Sequence, residues 1–423
     1  MQVTVNPSTV QGTLQVPASK SMMQRICAAA LLHRGKTMIH NGGGSDDDKA
    51  ALQIIQQLGA TVTGLSNNSL QIISNGQIAP APHINCGESG LSARLFTAIA
   101  ALSNQPITIN AHGSLLQRPM GELLHVLSQL GVRILHPQFP ISLQGPLQAK
   151  DVSIHAGLSS QFLSGLLFAL SASAKQPMVL KVHGLNSKPY INLTLGVLQH
   201  FGKPIQNMNY ESFIINPALF AAPQDVVCTI EADWSSASCF MVAAAIGGEL
   251  TFNRLHTNSL QADVAILNAL HDAGAHVLIQ DDTIVVASHK LNAFQFDATQ
   301  CPDLFPALCV LAAACNGRSY IKGLGRLFHK ESNRAASIGS MLTALGVPFY
   351  TDADTICITG VTELQAATID SCNDHRIVMA AAVAALRANG PVTILNTQAV
   401  NKSYPTFFND LCALGVTCTI NNN

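Results

Sequence analysis

The chain is poor in charge, with 23 Lys plus Arg and 24 Asp plus Glu among 423 residues, so the positions of its cations carry information. Lys20, Arg25, Arg94, Arg118, Lys188, Lys330, Arg334, Arg376 and Lys402 all fall at or near expected helix starts. Ordinary helices carry cations at the opposite end, because the N-terminus already bears partial positive charge. Basic groups beside Ser hydroxyls and the unsatisfied N–H groups of a helix start make sites for anions such as phosphates and carboxylates. Two carboxylates stand inside this basic field: Asp303 opens one expected helix and Glu331 adjoins Lys330. A carboxylate among cations stays ionised and can accept or relay a proton beside a bound anion. Taken singly, the same residues also fit solvated surface charges, a helix cap at Asp303 and a surface ion pair at Glu331.

The elements that must position these residues repeat. Helix-like stretches stop at Gly59, Gly131, Gly202, Gly274, Gly346 and Gly415, spaced by 72, 71, 72, 72 and 69 residues. A Gly just past the last helical turn takes the left-handed conformation without steric cost, so each stop predicts a helix feeding a strand. Roughly half a period upstream lies a small-residue apolar helix, predicted over 21–32, 89–102, 160–174, 235–246, 303–315 and 374–386. Strand signals follow at 37–39, 106–110, 178–182, 250–253, 319–322 and 391–395. The unit reads as βαβαββ, about 71 residues long, and six copies predict an α/β chain of two similar three-repeat domains. A solenoid scaffold is the other reading of such a repeat. Against it, the helix-opening residues differ in every copy, from Ser19-Lys20-Ser21 and Gly87-Glu88-Ser89-Gly90 to Asn373-Asp374-His375-Arg376. A single asymmetric site diversifies its loops in this way, whereas a binding array repeats them.

Composition narrows the class further. Hydrophobic residues make up 48% and charged residues 11%, yet runs such as Leu304–Cys315 are shorter than the roughly 18 apolar residues a membrane span needs. The opening Met1-Gln2-Val3-Thr4-Val5 has no basic and apolar leader pattern. Eleven cysteines without a Cys-x-x-Cys pair fit reduced thiols better than a disulfide framework or a zinc site. A net charge of −1 argues against nucleic acid and membrane surfaces as partners. Gly42-Gly43-Gly44 reads as a loop, with no dinucleotide-binding strand–Gly-x-Gly-x-x-Gly–helix unit. A soluble, cytoplasmic, two-domain protein is expected.

Seven segments, in order along the whole chain, resemble the 5-enolpyruvylshikimate-3-phosphate synthase family. They are Val16-Pro17-Ala18-Ser19-Lys20-Ser21 with Arg25, Gln117-Arg118-Pro119-Met120, Ser159-Ser160-Gln161-Phe162, Ser187-Lys188-Pro189-Tyr190, Lys330-Glu331-Ser332-Asn333-Arg334, Asn373-Asp374-His375-Arg376, and Lys402. The resemblance implies the inside-out α/β barrel type of fold, six βαβαββ repeats in two domains joined by two crossover strands. The implied central domain runs over 14–228, and the other combines 1–13 with 229–423. Helix N-termini of both would face a cleft that closes on substrates. The implied reaction moves the enolpyruvyl group of phosphoenolpyruvate to the 5-hydroxyl of shikimate 3-phosphate and releases phosphate. It implies a monomer and needs no metal or organic cofactor.

By the same resemblance, Lys20, Gly90, Arg118, Gln161, Arg334, Arg376 and Lys402 form the phosphoenolpyruvate set. Lys20, Ser21, Arg25, Ser159, Ser160, Gln161, Ser187, Tyr190, Asp303 and Lys330 form the shikimate 3-phosphate set. Asp303 would take the hydroxyl proton, Glu331 would serve C3 as acid and then base, and Lys20 would assist. Three places depart from the family pattern. Gly87-Glu88-Ser89-Gly90-Leu91 replaces the usual Gly-Asn-Ala-Gly-Thr. Arg326 stands where Asn is common, with Phe328 in place of a common Arg, so Arg326 is expected to supply that charge from a displaced position. Asn333 replaces an Asp. The nearest rivals are UDP-N-acetylglucosamine 1-carboxyvinyltransferase and a non-catalytic anion-binding repeat protein. The first typically carries Lys-Asn where this chain has Lys20-Ser21 and a Cys or Asp on a mobile loop, and here no Cys lies between Cys86 and Cys228. The second would be expected to lose Asp303, Glu331 or several of the cations.

Overall fold

The glycine periodicity becomes geometry in a computed structural model of the chain, which describes residues 1–221 and 223–421. Residues 422 and 423, the end of the expected C-terminal segment, lie outside the described residues. Twelve α-helices occur among the described residues. The first six are α1 (Lys20–Leu32), α2 (Asp46–Gln57), α3 (Gly90–Ala100), α4 (Gly121–Gln129), α5 (Ser160–Ser173) and α6 (Lys188–His200). The others are α7 (Trp234–Gly247), α8 (Ile266–Asp272), α9 (Phe305–Ala314), α10 (Arg334–Ala344), α11 (His375–Ala385) and α12 (Phe407–Ala413).

The six periodic glycines follow the even-numbered helices, with φ between +72° and +108°. Each closes its helix with the same pair of bonds. After α4, the Gly131 N–H donates to the Ser128 carbonyl at 3.0 Å and the Val132 N–H to the Leu127 carbonyl at 3.1 Å. The second bond joins residues five apart, the signature of a Schellman ending, and it satisfies carbonyls the helix leaves open.

The odd-numbered helices are the apolar ones. All of Gly90–Ala100 in α3 is buried, as is nearly all of α7, α9 and α11. A helix apolar on every side has to be enclosed, and these three-helix sets pack on one another, α1 with α3 and α5, α7 with α9 and α11. Small residues set the spacing: a Cβ on Gly165 of α5 would stand 2.5 Å from the Arg94 carbonyl of α3.

Each helix pair belongs to a four-stranded sheet. In one, His83–Asn85 runs parallel to Ile107–Asn110, which pairs antiparallel with Ile141–Gln144, itself antiparallel to Arg133–His136. That is βαβαββ in chain order, and all six sheets have one parallel and two antiparallel pairings. Three sheets take a strand from far along the chain. Asp225–Thr229 joins Arg34–His40, Val10–Gln15 joins Gly248–Asn253, and Gln2–Val5 lies between Val392–Leu395 and Cys418–Asn421.

The chain forms two compact units, Ala18–Glu231 and Met1–Pro17 with Ala232–Asn423. The expected cuts after residues 13 and 228 fall inside Val10–Gln15 and Asp225–Thr229, each hydrogen-bonded along its length into one sheet. Strand pairing therefore carries the division on to Pro17 and Glu231. No helix among the described residues is long and apolar enough to cross a membrane.

Candidate active site

In the unit that carries the C-terminal half, the site is built around Arg334, the first residue of α10 and fully buried. Its Nε donates to Asp374 Oδ2 at 2.9 Å and its Nη2 to Asp374 Oδ1 at 3.2 Å, a two-pronged grip on one carboxylate. Nη1 donates to Asp303 Oδ1 at 2.9 Å, and Nη2 also donates to Glu331. Asp374 is fully buried and at the same time caps α11, accepting from the Arg376 backbone N–H at 3.0 Å. The turn before it is tight, with Cys372 and Asn373 at φ of 52° and 57°. Side chains other than Gly reach this region at a cost of order 1–3 kcal/mol each, which clusters at functional sites. Lys402 Nζ donates to the Asn373 carbonyl at 2.7 Å and so is anchored on that turn.

Asp303 receives Lys330 Nζ at 3.1 Å as well as Arg334, and Arg376 Nε stands 3.8 Å away. Burial raises the Asp303 pKa, but Lys330, Arg376 and Arg334 outweigh it and hold the carboxyl well below the usual carboxylate range. Burial in turn lowers the Lys330 ammonium despite the pull of Asp303. Asp303 was expected to open its helix. It lies instead in a 3₁₀ turn, Pro302–Leu304, ahead of α9, where Pro306 has no N–H for a side-chain cap to satisfy.

Arg376 Nη1 reaches the Ser235 carbonyl at 3.4 Å, and the Ser235 hydroxyl donates to Asp263. Burial, then the charge of Asp303, pushes Asp263 up to about 6. Arg326 is half-buried within the field of Asp303: burial lowers its pKa, and Asp303 and Asp354 oppose that. Phe328 is half exposed.

In the unit Ala18–Glu231, serines cap each of the three odd-numbered helices. Ser19 accepts from Met22 N–H, Ser89 from Ser92 N–H and Ser159 from Gln161 N–H. Lys20, at the start of α1, pairs with Asp47 at 2.9 Å. Arg94 Nη1 donates to Gln161 Oε1 at 2.6 Å, and its guanidinium lies 5.2 Å from the Phe162 ring centroid. Gly90 opens α3, and a Cβ there would stand 2.5 Å from Arg118 Nη1 and 3.0 Å from Arg94 Nη1. Only a glycine lets two guanidinium groups come this near the first turn of a helix, where the backbone already favours anions. Glu88 lies against Gly113, whose Cβ would meet its carboxylate at 2.4 Å.

Arg25 is buried and ties α1 to α6. It donates to Thr194 Oγ1 at 2.9 Å, the Ser21 carbonyl at 2.7 Å and the Tyr190 carbonyl at 3.3 Å. Burial lowers it to about 10. Ser187, buried and left-handed at φ 56°, leads into α6, with Tyr190 in the first turn. Ser160 is buried at the start of α5.

Sequence reasoning thus named the residues that gather in each unit but missed their partners Asp47, Asp263, Ser235 and Thr194, and it left Asp374 as part of a motif. The acidic run Asp46-Asp47-Asp48 and the pairing of Asp374 with a helix start were the available signals.

These features define a class. Apolar helices enclosed by six small sheets, with cations and carboxylates gathered at helix starts, belong to the enolpyruvyl transferase fold. An EPSP synthase structure from Acinetobacter baumannii superposes with a TM-score of 0.83 at 24% identity, covering 99% of this chain and 100% of that one. An enolpyruvyl transferase structure from Streptomyces tendae gives 0.82 at 16% identity, covering 99% and 98%. At the sequence level, the family model of EPSP synthase (3-phosphoshikimate 1-carboxyvinyltransferase) matches residues 5–411. The 3-phosphoshikimate 1-carboxyvinyltransferase of Clostridium kluyveri is 32% identical, covering 98% of this chain and 97% of its own. That of Thermococcus kodakarensis is 35% identical, covering 95% and 97%. The chain belongs to the EPSP synthase family.

Proposed function

We propose that this chain is a 3-phosphoshikimate 1-carboxyvinyltransferase, acting as a monomer in the cytoplasm on phosphoenolpyruvate and shikimate 3-phosphate. The observation that carries the reading is Asp303, a carboxylate bonded to Lys330 and Arg334 and flanked by Arg376, in a chain matched by this family over nearly its whole length. A scaffold has no use for that arrangement. Two polyanionic substrates that exchange a proton and release phosphate need it.

Arg334, Arg376 and Lys402, with Lys20, Gly90, Arg118 and Gln161, would take phosphoenolpyruvate. Planar guanidinium groups suit its carboxylate and phosphate, each offering two parallel donors. Ser21, Ser159, Ser160, Gln161, Ser187 and Tyr190 would hold shikimate 3-phosphate, with Lys20 and Lys330 as cations. Arg25 would act there by fixing Ser21 and Tyr190, whose carbonyls it holds.

In the first half of the reaction the 5-hydroxyl oxygen bonds to C2 of phosphoenolpyruvate. Its proton goes to Asp303, while C3 gains a proton from Glu331. In the second half the C2–O bond to phosphate breaks, Glu331 removes a C3 proton and the double bond re-forms. Lys20 assists the proton traffic. Holding two reactants in one geometry removes on the order of 7–11 kcal/mol from such a barrier in favourable cases.

The test is phosphate release from phosphoenolpyruvate with shikimate 3-phosphate or with UDP-N-acetylglucosamine as acceptor. Release with shikimate 3-phosphate alone is expected. Release only with the nucleotide sugar, or with neither acceptor, would overturn the assignment.

A further inference from the structure

Three residues of the proposed shikimate 3-phosphate set stand at helix starts in the unit Ala18–Glu231: Ser21 in α1, Ser160 in α5 and Tyr190 in α6. Four positions further along each helix come Arg25, Ser164 and Thr194. Residues four apart share one face of a helix, about 6 Å apart along its axis. Arg25, Ser164 and Thr194 thus form a layer just inside the helix starts, and all three are buried.

Thr194 joins the layer. Its Oγ1 accepts from Arg25 Nε at 2.9 Å, lies 2.8 Å from Ser164 Oγ and donates to the Tyr190 carbonyl at 3.0 Å. A hydroxyl has one proton and two lone pairs. With its proton on Tyr190, Thr194 has to accept from both neighbours, so Ser164 is the donor in that pair. One saturated hydroxyl therefore ties α1, α5 and α6 together, one turn in from the residues proposed to meet the substrate.

Arg25 reaches back from this anchor. Long side chains on a helix lean towards its N-terminus, and the guanidinium bonds the Ser21 carbonyl at 2.7 Å and the Tyr190 carbonyl at 3.3 Å. Its Cζ stands 6.0 Å from the Tyr190 ring centroid. All these acceptors are neutral oxygens, and among the described residues no carboxylate pairs with Arg25. A buried cation held only by neutral groups keeps its charge for an incoming anion. A carboxylate at position 194 would fix the guanidinium equally well but cancel that charge. A threonine does the first without the second.

We propose that Thr194 is a positioning residue for shikimate 3-phosphate, holding Arg25 in place and fixing the spacing of Ser21, Ser160 and Tyr190. The inference rests on the reading of those helix starts as the shikimate 3-phosphate site.

The full chain is tested by two readouts. One is steady-state kinetics with each substrate varied in turn. The other is the Arg25 Nε–H resonance of the free protein, assigned by its absence in Arg25→Lys. Thr194→Val keeps the shape and removes the hydroxyl, so it should shift that resonance and speed its exchange with solvent. KM for shikimate 3-phosphate should rise about tenfold, the scale of one buried hydrogen-bond partner lost. Contacts made alike in the ground and transition states act on KM alone, so kcat and KM for phosphoenolpyruvate should stay within about twofold. Thr194→Ser should restore both readouts, whereas a packing defect is not repaired by a smaller side chain. Ser164→Ala removes one bond of the network and should move both readouts the same way by less; it decides the matter if Thr194→Val does not fold. The proposal is overturned if the Arg25 resonance is unchanged, if KM for shikimate 3-phosphate stays at the wild-type value, or if both KM values rise together. A wild-type chain inactive with shikimate 3-phosphate overturns the functional reading instead, while the resonance still decides whether Thr194 holds Arg25.

Discussion

Asp303 as it stands is a weak base, because three cations hold it well below the carboxylate range. A base works best with its pKa near the operating pH. Anionic substrates change the balance. A phosphate or carboxylate on Arg334 and Arg376 offsets their charge, and each cation so neutralised lets Asp303 rise. On this account the substrate switches on its own base, and no proton moves before both reactants are held. Asp263 shows the opposite environment, since burial and Asp303 push it up to about 6, with Arg376 and the Ser235 hydroxyl opposing. An unfolded Asp titrates near about 3.9. Between those values the folded chain binds more protons than the unfolded one. The stability Asp263 contributes is therefore fully present below about pH 4 and is lost as pH rises through about 6. Melting temperatures of wild type and Asp263→Asn, taken across that window, should show the wild type losing stability relative to the variant as pH rises. Parallel curves for the two proteins would contradict this.

At the scale of elements, much was legible. Six glycines gave the ends of the even-numbered helices, because a left-handed residue after a helix has a strong local cause. The odd-numbered helices were legible as apolar runs of small residues, since complete burial leaves no polar face to interrupt them. Their starts were less so, and the observed ones at Lys20, Gly90, Trp234, Phe305 and His375 differ from expectation by one or two residues. In four of these five the side chain immediately before the observed start caps the helix from outside: Ser19, Ser89, Asp233 and Asp374. What the sequence hid is long-range. Asp374 reaches Arg334 across 40 positions, and Arg25 reaches Thr194 across 169. No local pattern encodes such pairs: the resemblance of ordered motifs named Arg334, Asp374 and Arg25, whereas Thr194 lay outside every motif.

At the scale of the whole molecule, strand borrowing makes the two units unequal when the chain is cut. All three sheets of Ala18–Glu231 are complete within its own residues, whereas Ala232–Asn423 lacks Gln2–Val5 and Val10–Gln15. Loss of Gln2–Val5 would open a sheet at its middle and expose two unpaired edges. A fragment spanning 18–231 should fold alone, with a cooperative melt and dispersed amide resonances. A fragment spanning 232–423 should do so only when peptide 1–17 is supplied. Independent folding of the bare C-terminal piece would contradict the pairing. The proposed activity is tested at this scale too, on the full chain, with Asp303 as the side chain proposed to take the hydroxyl proton. The most direct test is the phosphate release rate of Asp303→Asn at saturating phosphoenolpyruvate and shikimate 3-phosphate, with phosphoenolpyruvate binding measured alongside. The account predicts a kcat lower by roughly 10²–10⁴ with binding largely retained; a kcat close to that of the wild type would contradict it.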